Sequence, residues 1–126
     1  MKTRIEHYVK EIKPLFPRVR WVWVYTTHKT DFYMAVRQVW PYTLVWVDRV
    51  CRKMPDNVIK YLVAHEFAHV QYPQYNERDI DIKLIELGFK DDLIAFHKWH
   101  NKKYRKYRKK DGLTLSKIKK HKKKYL

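Results

Sequence analysis

The spacing of hydrophobic residues changes along the chain from a helical period to a strand period. In residues 3–12 the apolar residues recur every three or four positions, which predicts a short amphipathic helix that ends at Pro14. From Val19 to Val47 the period is two, and β-branched and aromatic residues dominate. This region therefore predicts three strands, which span Val19–Thr27, Phe32–Val39 and Tyr42–Asp48.

The order of these strands in the sheet is left open by the pattern. The first and third strands are apolar on both faces, whereas the second carries Arg37 and Gln38. Polar residues of this kind suit the edge of a sheet. A simple meander would instead place the second strand in the middle.

The helical period returns after residue 54. Helices are predicted over residues 55–71 and 74–87, with Pro73 between them and Gly88 in the position that closes a helix. A third helix is predicted from about residue 91 until Gly112 breaks it, and a last short helix follows. A helix, three strands and then further helices predict an α+β fold.

Length and composition limit the class of protein. A chain of 126 residues with 45% hydrophobic residues forms one domain, which we assign to residues 1–111, followed by a tail over residues 112–126. Its longest apolar runs are about five residues, against the ~20 of a membrane span. No secretion signal is visible. Cys51 is the single cysteine, which excludes an internal disulfide and a zinc site built from cysteines. A cytoplasmic location is therefore expected.

The net charge of +16 is concentrated in the C-terminal quarter of the chain. Residues 97–126 contain 14 Lys and Arg residues against Asp111 alone, whereas residues 1–96 contain 15 against 12 acidic residues. The body is therefore nearly neutral and carries one basic appendage.

The segment with chemical content is His65-Glu66-Phe67-Ala68-His69 within the predicted helix 55–71. Residues four apart lie on one face of a helix, so both imidazoles point toward one place, where they suit Zn²⁺. Glu66 is rotated by about 100° and is placed to act as general base on a zinc-bound water. The alternative is a chance spacing of two core histidines. The helical context with apolar flanking residues argues against it.

A catalytic zinc ion usually takes a third protein ligand. The downstream candidates are Glu77, Asp79, Asp81, Glu86, His97 and His100. Because Pro73 turns the chain, Glu77 in the first turn of the next helix is placed to return beside His69. Asp81, one turn later, is placed to hold a ligand histidine through its other N–H. Solvated acidic residues that favour a helix N-terminus are the alternative.

His-Glu-x-x-His on one helix followed by Glu-x-x-x-Asp on the next resembles the gluzincin metallopeptidases. Length and element order are similar to the minigluzincins, which are minimal members of that group. The resemblance implies a small zincin-like domain with a three-stranded, mixed sheet. It implies that His65, His69 and Glu77 bind zinc, that Glu66 is the general base, and that Asp81 orients a ligand histidine. Gln71 departs from the family pattern, which prefers an apolar residue there.

The resemblance also implies how a substrate binds. In such folds the second strand forms the rim of the cleft, so an extended peptide would pair with the Phe32–Val36 stretch. A donor to the developing oxyanion is expected from His97, His100 or Tyr104, and His100 is the first candidate. Stacking or capping contacts with the core are the alternative for each of the three.

The basic tail has three interpretations. It is a solvated terminal helix, a nucleic-acid contact through Lys102–Lys110 and Lys117–Lys124, or a segment that folds over the cleft and keeps the enzyme latent, as in a zymogen. Cys51 as a zinc-binding switch is a weaker alternative. The leading hypothesis is a zinc metalloendopeptidase, and the competing one is a basic nucleic-acid-binding module with a structural or vestigial zinc site. A third hypothesis joins them, a protease tethered to nucleic acid by its tail. The substrate and the oligomeric state are not specified by the sequence.

Overall fold

The structure, a computed structural model, describes residues 2–27 and 32–103. It is an α+β fold in which helix α1 (Lys2–Ile12) leads through a 3-10 turn (Lys13–Leu15) into the sheet. The strands are β1 (Val22–Thr27), β2 (Met34–Val39) and β3 (Tyr42–Asp48). A second 3-10 segment (Arg49–Lys53) precedes the helices α2 (Asp56–Gln71), α3 (Glu77–Glu86) and α4 (Lys90–Lys103).

The sheet has the strand order β1-β3-β2, which settles the order that the sequence left open. β3 is central, parallel to β1 and antiparallel to β2, so the sheet is mixed. β2 lies at an edge, with Arg37 exposed, as its polar residues indicated. The register pairs Val24 and Val36 with Val45, and these three valines lie on the face that meets the helices.

Helix α2 is the centre of the molecule. It packs against β2, α1, α3 and α4. Ten of its residues are buried, and they are distributed around the helix. A helix that is apolar all round belongs in a core, whereas a surface helix has one apolar stripe. Core packing therefore holds the His-Glu-x-x-His segment, in which Glu66 and His69 are the half-buried positions.

Element boundaries differ from the predicted ones at three places. β1 begins at Val22 because the chain turns at residues 16–19 and Trp21 adopts a left-handed φ of 44°. β2 begins at Met34, after Tyr33 turns its carbonyl to the Asp48 N–H. α3 begins at Glu77, not at residue 74, because the Asn76 side chain caps it by accepting from the Asp79 N–H at 2.8 Å.

The other helix ends agree with the predictions. α3 closes at Gly88, whose φ of 98° is the left-handed conformation expected of a C′ glycine. The predicted break at Gly112, the last short helix and the boundary between residues 111 and 112 lie outside the described residues. None of the helices within residues 2–27 and 32–103 combines the length and apolar character needed to cross a bilayer.

Candidate metal centre

The two histidines of α2 point to a common place, as their spacing predicts. The Nε2 atoms of His65 and His69 are 3.2 Å apart. Two donors bound to one tetrahedral zinc ion at 2.0–2.1 Å are separated by about 3.3 Å. The pair of nitrogens therefore has the separation that two zinc ligands need.

Glu77 completes the group from the first turn of α3. Its carboxylate oxygens lie 2.9 Å from Nε2 of His65 and 2.7 Å from Nε2 of His69. Ligand atoms of the three residues all lie within 4.8 Å of one another, so together they could hold a metal ion. Two imidazoles and one carboxylate are a donor set that suits zinc and leaves one position open.

The charge state of Glu77 also fits a ligand. Partial burial alone would raise the pKa of Glu77, but hydrogen bonds from His65 and His69 and the charges on their rings outweigh it. The net effect lowers the pKa of Glu77 well below its usual range. Glu77 is therefore a carboxylate at neutral pH, which is the form that binds a cation.

The other nitrogen of His65 faces two buried partners. Nδ1 of His65 lies 3.0 Å from the hydroxyl oxygen of Tyr61 and 3.7 Å from Oδ1 of Asp81. The Tyr61 hydroxyl donates to Asp81 at 2.9 Å. Burial and the neighbouring Asp81 carboxylate raise the pKa of Tyr61 well above 10, so the hydroxyl keeps its proton. Its oxygen is then placed to accept from Nδ1–H, which leaves the Nε2 lone pair directed at the cluster.

Tyr61 was missed by the sequence interpretation. It precedes His65 by four residues, so Tyr61, His65 and His69 form one row on the helix face. A tyrosine at an apolar helix position is usually a core residue, and Tyr61 is fully buried. The helical spacing from His65 was the available signal.

Glu66 lies beside the cluster but outside the group of three ligands. Its side chain is half-buried, whereas its neighbours His65 and Phe67 are buried. Its charge contributes to the raised pKa of Tyr61, so it acts electrostatically on the same site. Its role as general base stays a prediction.

The structure places the other predicted metal ligands and Cys51 in different surroundings. Asp81 lies behind His65, while Asp79 is exposed and Glu86 pairs with Lys83 at 3.6 Å. Cys51 is buried away from the group and donates to the Tyr33 carbonyl at 3.3 Å. Of the six predicted third ligands, Glu77 alone joins the two histidines in the part of the chain that is described.

The expected oxyanion donors lie on α4 and in the segment beyond it. His100 is buried, with Nδ1 2.5 Å from the Tyr33 hydroxyl and its ring stacked on Phe96 at 5.6 Å. His97 is also buried and meets Phe96 edge-on. These contacts are core packing contacts and do not support the oxyanion role, which stays a prediction for His100. Tyr104 lies outside the described residues.

A groove lies between His69 and the sheet edge. It has a volume of about 210 Å³ and is bordered by His69 of α2 and by Val36 and Gln38 of the edge strand β2. At one end the side chain of Gln71 accepts from the Arg18 N–H at 2.8 Å, while Gln38 donates to the Arg18 carbonyl at 2.6 Å. Gln71 thus fixes the chain before β1 to α2, which accounts for a polar residue at this position.

Comparisons with known proteins identify no function. No protein-family model matches the sequence, and the solved structures give no significant match. A protein of Aquifex aeolicus (strain VF5) is 28% identical over 103 residues, which cover 78% of this chain and 88% of that protein. It is described as uncharacterized. Any functional conclusion must therefore come from the site.

Proposed function

We propose that the protein is a zinc-dependent metallopeptidase with His65, His69 and Glu77 as metal ligands and Glu66 as general base. The observation that carries the proposal is the convergence of two imidazole Nε2 atoms and one ionised carboxylate beside a glutamate that is not a ligand. A purely structural zinc site needs no base at that position. The alternative of a vestigial site therefore explains less of the geometry.

The chemistry assigns one task to each residue. When bound, zinc supplies a Lewis acid that polarises a carbonyl and lowers the pKa of water. Glu66 accepts the proton of the attacking water and returns it to the amine that leaves. Asp81 and Tyr61 hold His65 so that its Nε2 keeps facing the ligand cluster.

The groove beside His69 supports a peptide as substrate. Among the described residues β2 pairs with β3 alone, so the opposite edge of β2 has no strand partner there. An extended peptide can pair with such an edge through main-chain hydrogen bonds, which fix a carbonyl near the metal without demanding a particular side chain. The proposed substrate is therefore a protein segment in extended form. The cytoplasmic location expected from the sequence belongs to the same proposal.

Metal content and peptide hydrolysis measured side by side test this function. We expect about one zinc ion per chain in the wild type and its loss in His69→Ala. Glu66→Gln should keep the zinc but lower hydrolysis of a fluorogenic peptide mixture by ~10²-fold or more. Asp79→Asn is the matched control, because Asp79 is an exposed acid on α3 outside the ligand group.

Three results would contradict the proposal. If the wild type purified without chelators contained no zinc, the proposed metal site would be wrong. If Glu66→Gln kept full activity, Glu66 would not be the general base. Zinc loss in Glu66→Gln would make Glu66 a ligand and not a base.

A further inference from the structure

The face of the sheet that turns away from the helices is covered with aromatic rings. By register, its residues form three rows across the strands: Trp21, Tyr42 and Val39, then Trp23, Leu44 and Arg37, then Tyr25, Trp46 and Ala35. Trp23 is 56% exposed, Trp21 58%, Tyr25 45% and Tyr42 40%. We call this set of nine residues the outer face. Within residues 2–27 and 32–103, residues of α1 border Trp23, and Trp46 is half-buried.

So much exposed aromatic surface is unusual in a sheet. A strand that is apolar on both faces, such as β1, is usually buried on both faces. Large exposed apolar patches mark interaction sites. The outer face is also on the opposite side of the sheet from α2 and its metal cluster, so it is a separate surface.

The backbone of Trp21 has an unusual conformation. Its φ of 44° is a conformation that bulky residues rarely adopt and that costs free energy. Its ring meets the Tyr42 ring edge-on at 5.5 Å but stays largely exposed, so the core gains little from it. An unfavourable conformation that presents a ring to solvent indicates a surface with a binding role.

The charged side chains of the described residues next to these rings are mostly cations. Glu6, Lys10 and Lys13 border Trp23, so two cations accompany the one acid there. Arg37 is exposed in the middle row, and Arg20 lies over the Trp40 ring at 5.5 Å, beside the turn that joins β2 and β3. Asp48, at the end of β3, is buried. The outer face thus combines flat rings with cations and presents no exposed carboxylate among its nine residues.

We propose that the outer face binds single-stranded nucleic acid. Bases stack on Trp23 and on the Trp21–Tyr42 pair, while Arg37 and Arg20 meet phosphates. Stacking on aromatic side chains needs bases that are free of a duplex, and a sheet that presents such rings is a known solution to that requirement. This goes beyond the proposed peptidase function and does not depend on it.

Two other occupants fit the observations less well. A second copy of this chain would bring two outer faces together, each with Arg37 in its middle row and no acid among its nine residues to pair with that cation. A lipid bilayer would take up the rings, but it would also receive Arg37, which lies in the middle row with aromatic residues in the rows on both sides. A phosphate backbone uses that cation instead of burying it.

Binding of the full chain to a fluorescent single-stranded oligonucleotide of mixed sequence tests the proposal. Trp21→Ser/Trp23→Ser should weaken binding at least about five-fold for each ring removed, without changing the slope of affinity against salt concentration. Arg37→Gln should lower both the affinity and that slope. The wild type should bind the matched duplex more weakly and should lose tryptophan fluorescence only with the single strand.

Matched controls separate the outer face from the basic tail and from misfolding. Tyr75→Ser removes a 40% exposed aromatic ring outside the sheet, and Arg78→Gln removes an exposed cation of α3; both variants should bind as the wild type does. Circular dichroism and the melting temperature check the fold of each variant.

Unchanged affinity in the folded tryptophan variant would overturn the proposal, because binding would then come from the tail. Equal affinity for the duplex would overturn it as well. So would a tryptophan-dependent association with anionic lipid vesicles or with a second copy, if the oligonucleotide affinity stayed the same.

Discussion

The Tyr61 hydroxyl stands between Asp81 and His65, 2.9 Å from the carboxylate and 3.0 Å from Nδ1 of the imidazole. Asp81 itself is 3.7 Å from that nitrogen. The aspartate therefore acts on the histidine largely through the tyrosine, and the residue that orients His65 directly is Tyr61.

Removal of this hydroxyl should weaken metal binding. Tyr61→Phe keeps the ring in the core but leaves Nδ1 of His65 without its nearest partner, so we expect zinc affinity to fall about 10- to 100-fold. Competition with a chelator of known affinity measures it. Tyr8→Phe, a half-buried tyrosine of α1, is the control. Unchanged affinity in Tyr61→Phe would mean that Asp81 orients the ring by itself.

Glu77 should give the metal-free protein an acid-sensitive stability. Its pKa is lower in the folded chain than its ordinary value of 4.5. The stabilisation is therefore complete above that value and is lost as the pH falls below it toward the folded pKa. Glu77→Gln should flatten the decline of melting temperature below about pH 5, measured in chelator. Asp79→Asn should retain the wild-type slope. An equally steep decline in Glu77→Gln would refute the prediction.

Much of this fold is readable from the sequence because local signals agree with the final packing. The apolar spacing of residues 3–12 and the proline and glycine positions around α2 and α3 predicted the helices to within a few residues. Arg37 correctly indicated an edge strand. The order of β1 and β3 was not predictable, because alternation assigns side chains to faces but does not say which strands pair.

The candidate site was predictable only in part, for a similar reason. His65, His69 and Glu77 stand out because their side chains are costly to bury without partners. Tyr61 does not stand out, since its ring fits a core and only its hydroxyl takes part in the site. The buried contacts of His100 depend on how α4 packs against Tyr33, which no local pattern specifies.

The basic tail should control access to the site more than it stabilises the core. The tail, residues 112–126, lies outside the described residues and has few apolar residues, which stabilise a core by only ~25 cal/mol per Å² buried. Truncation after Asp111 should leave the melting temperature nearly unchanged and raise peptidase activity. Unfolding on truncation would make the tail part of the core. Unchanged activity together with lost salt-sensitive nucleic-acid binding would make it an anchor.

The strand order β1-β3-β2 also implies a sequence of events in folding. β2 and β3 are joined by the short turn at Trp40 and Pro41, so forming their hairpin closes a small loop. Pairing β1 with β3 closes a longer loop, because the whole of β2 lies between them in the sequence. We expect the hairpin to form in the transition state and β1 to join later. Val36 and Val24 both pair with Val45 and make a matched test. Val36→Ala should slow folding, whereas Val24→Ala should mainly speed unfolding. The strand that borders His69 would then be among the first parts of the protein to acquire its structure.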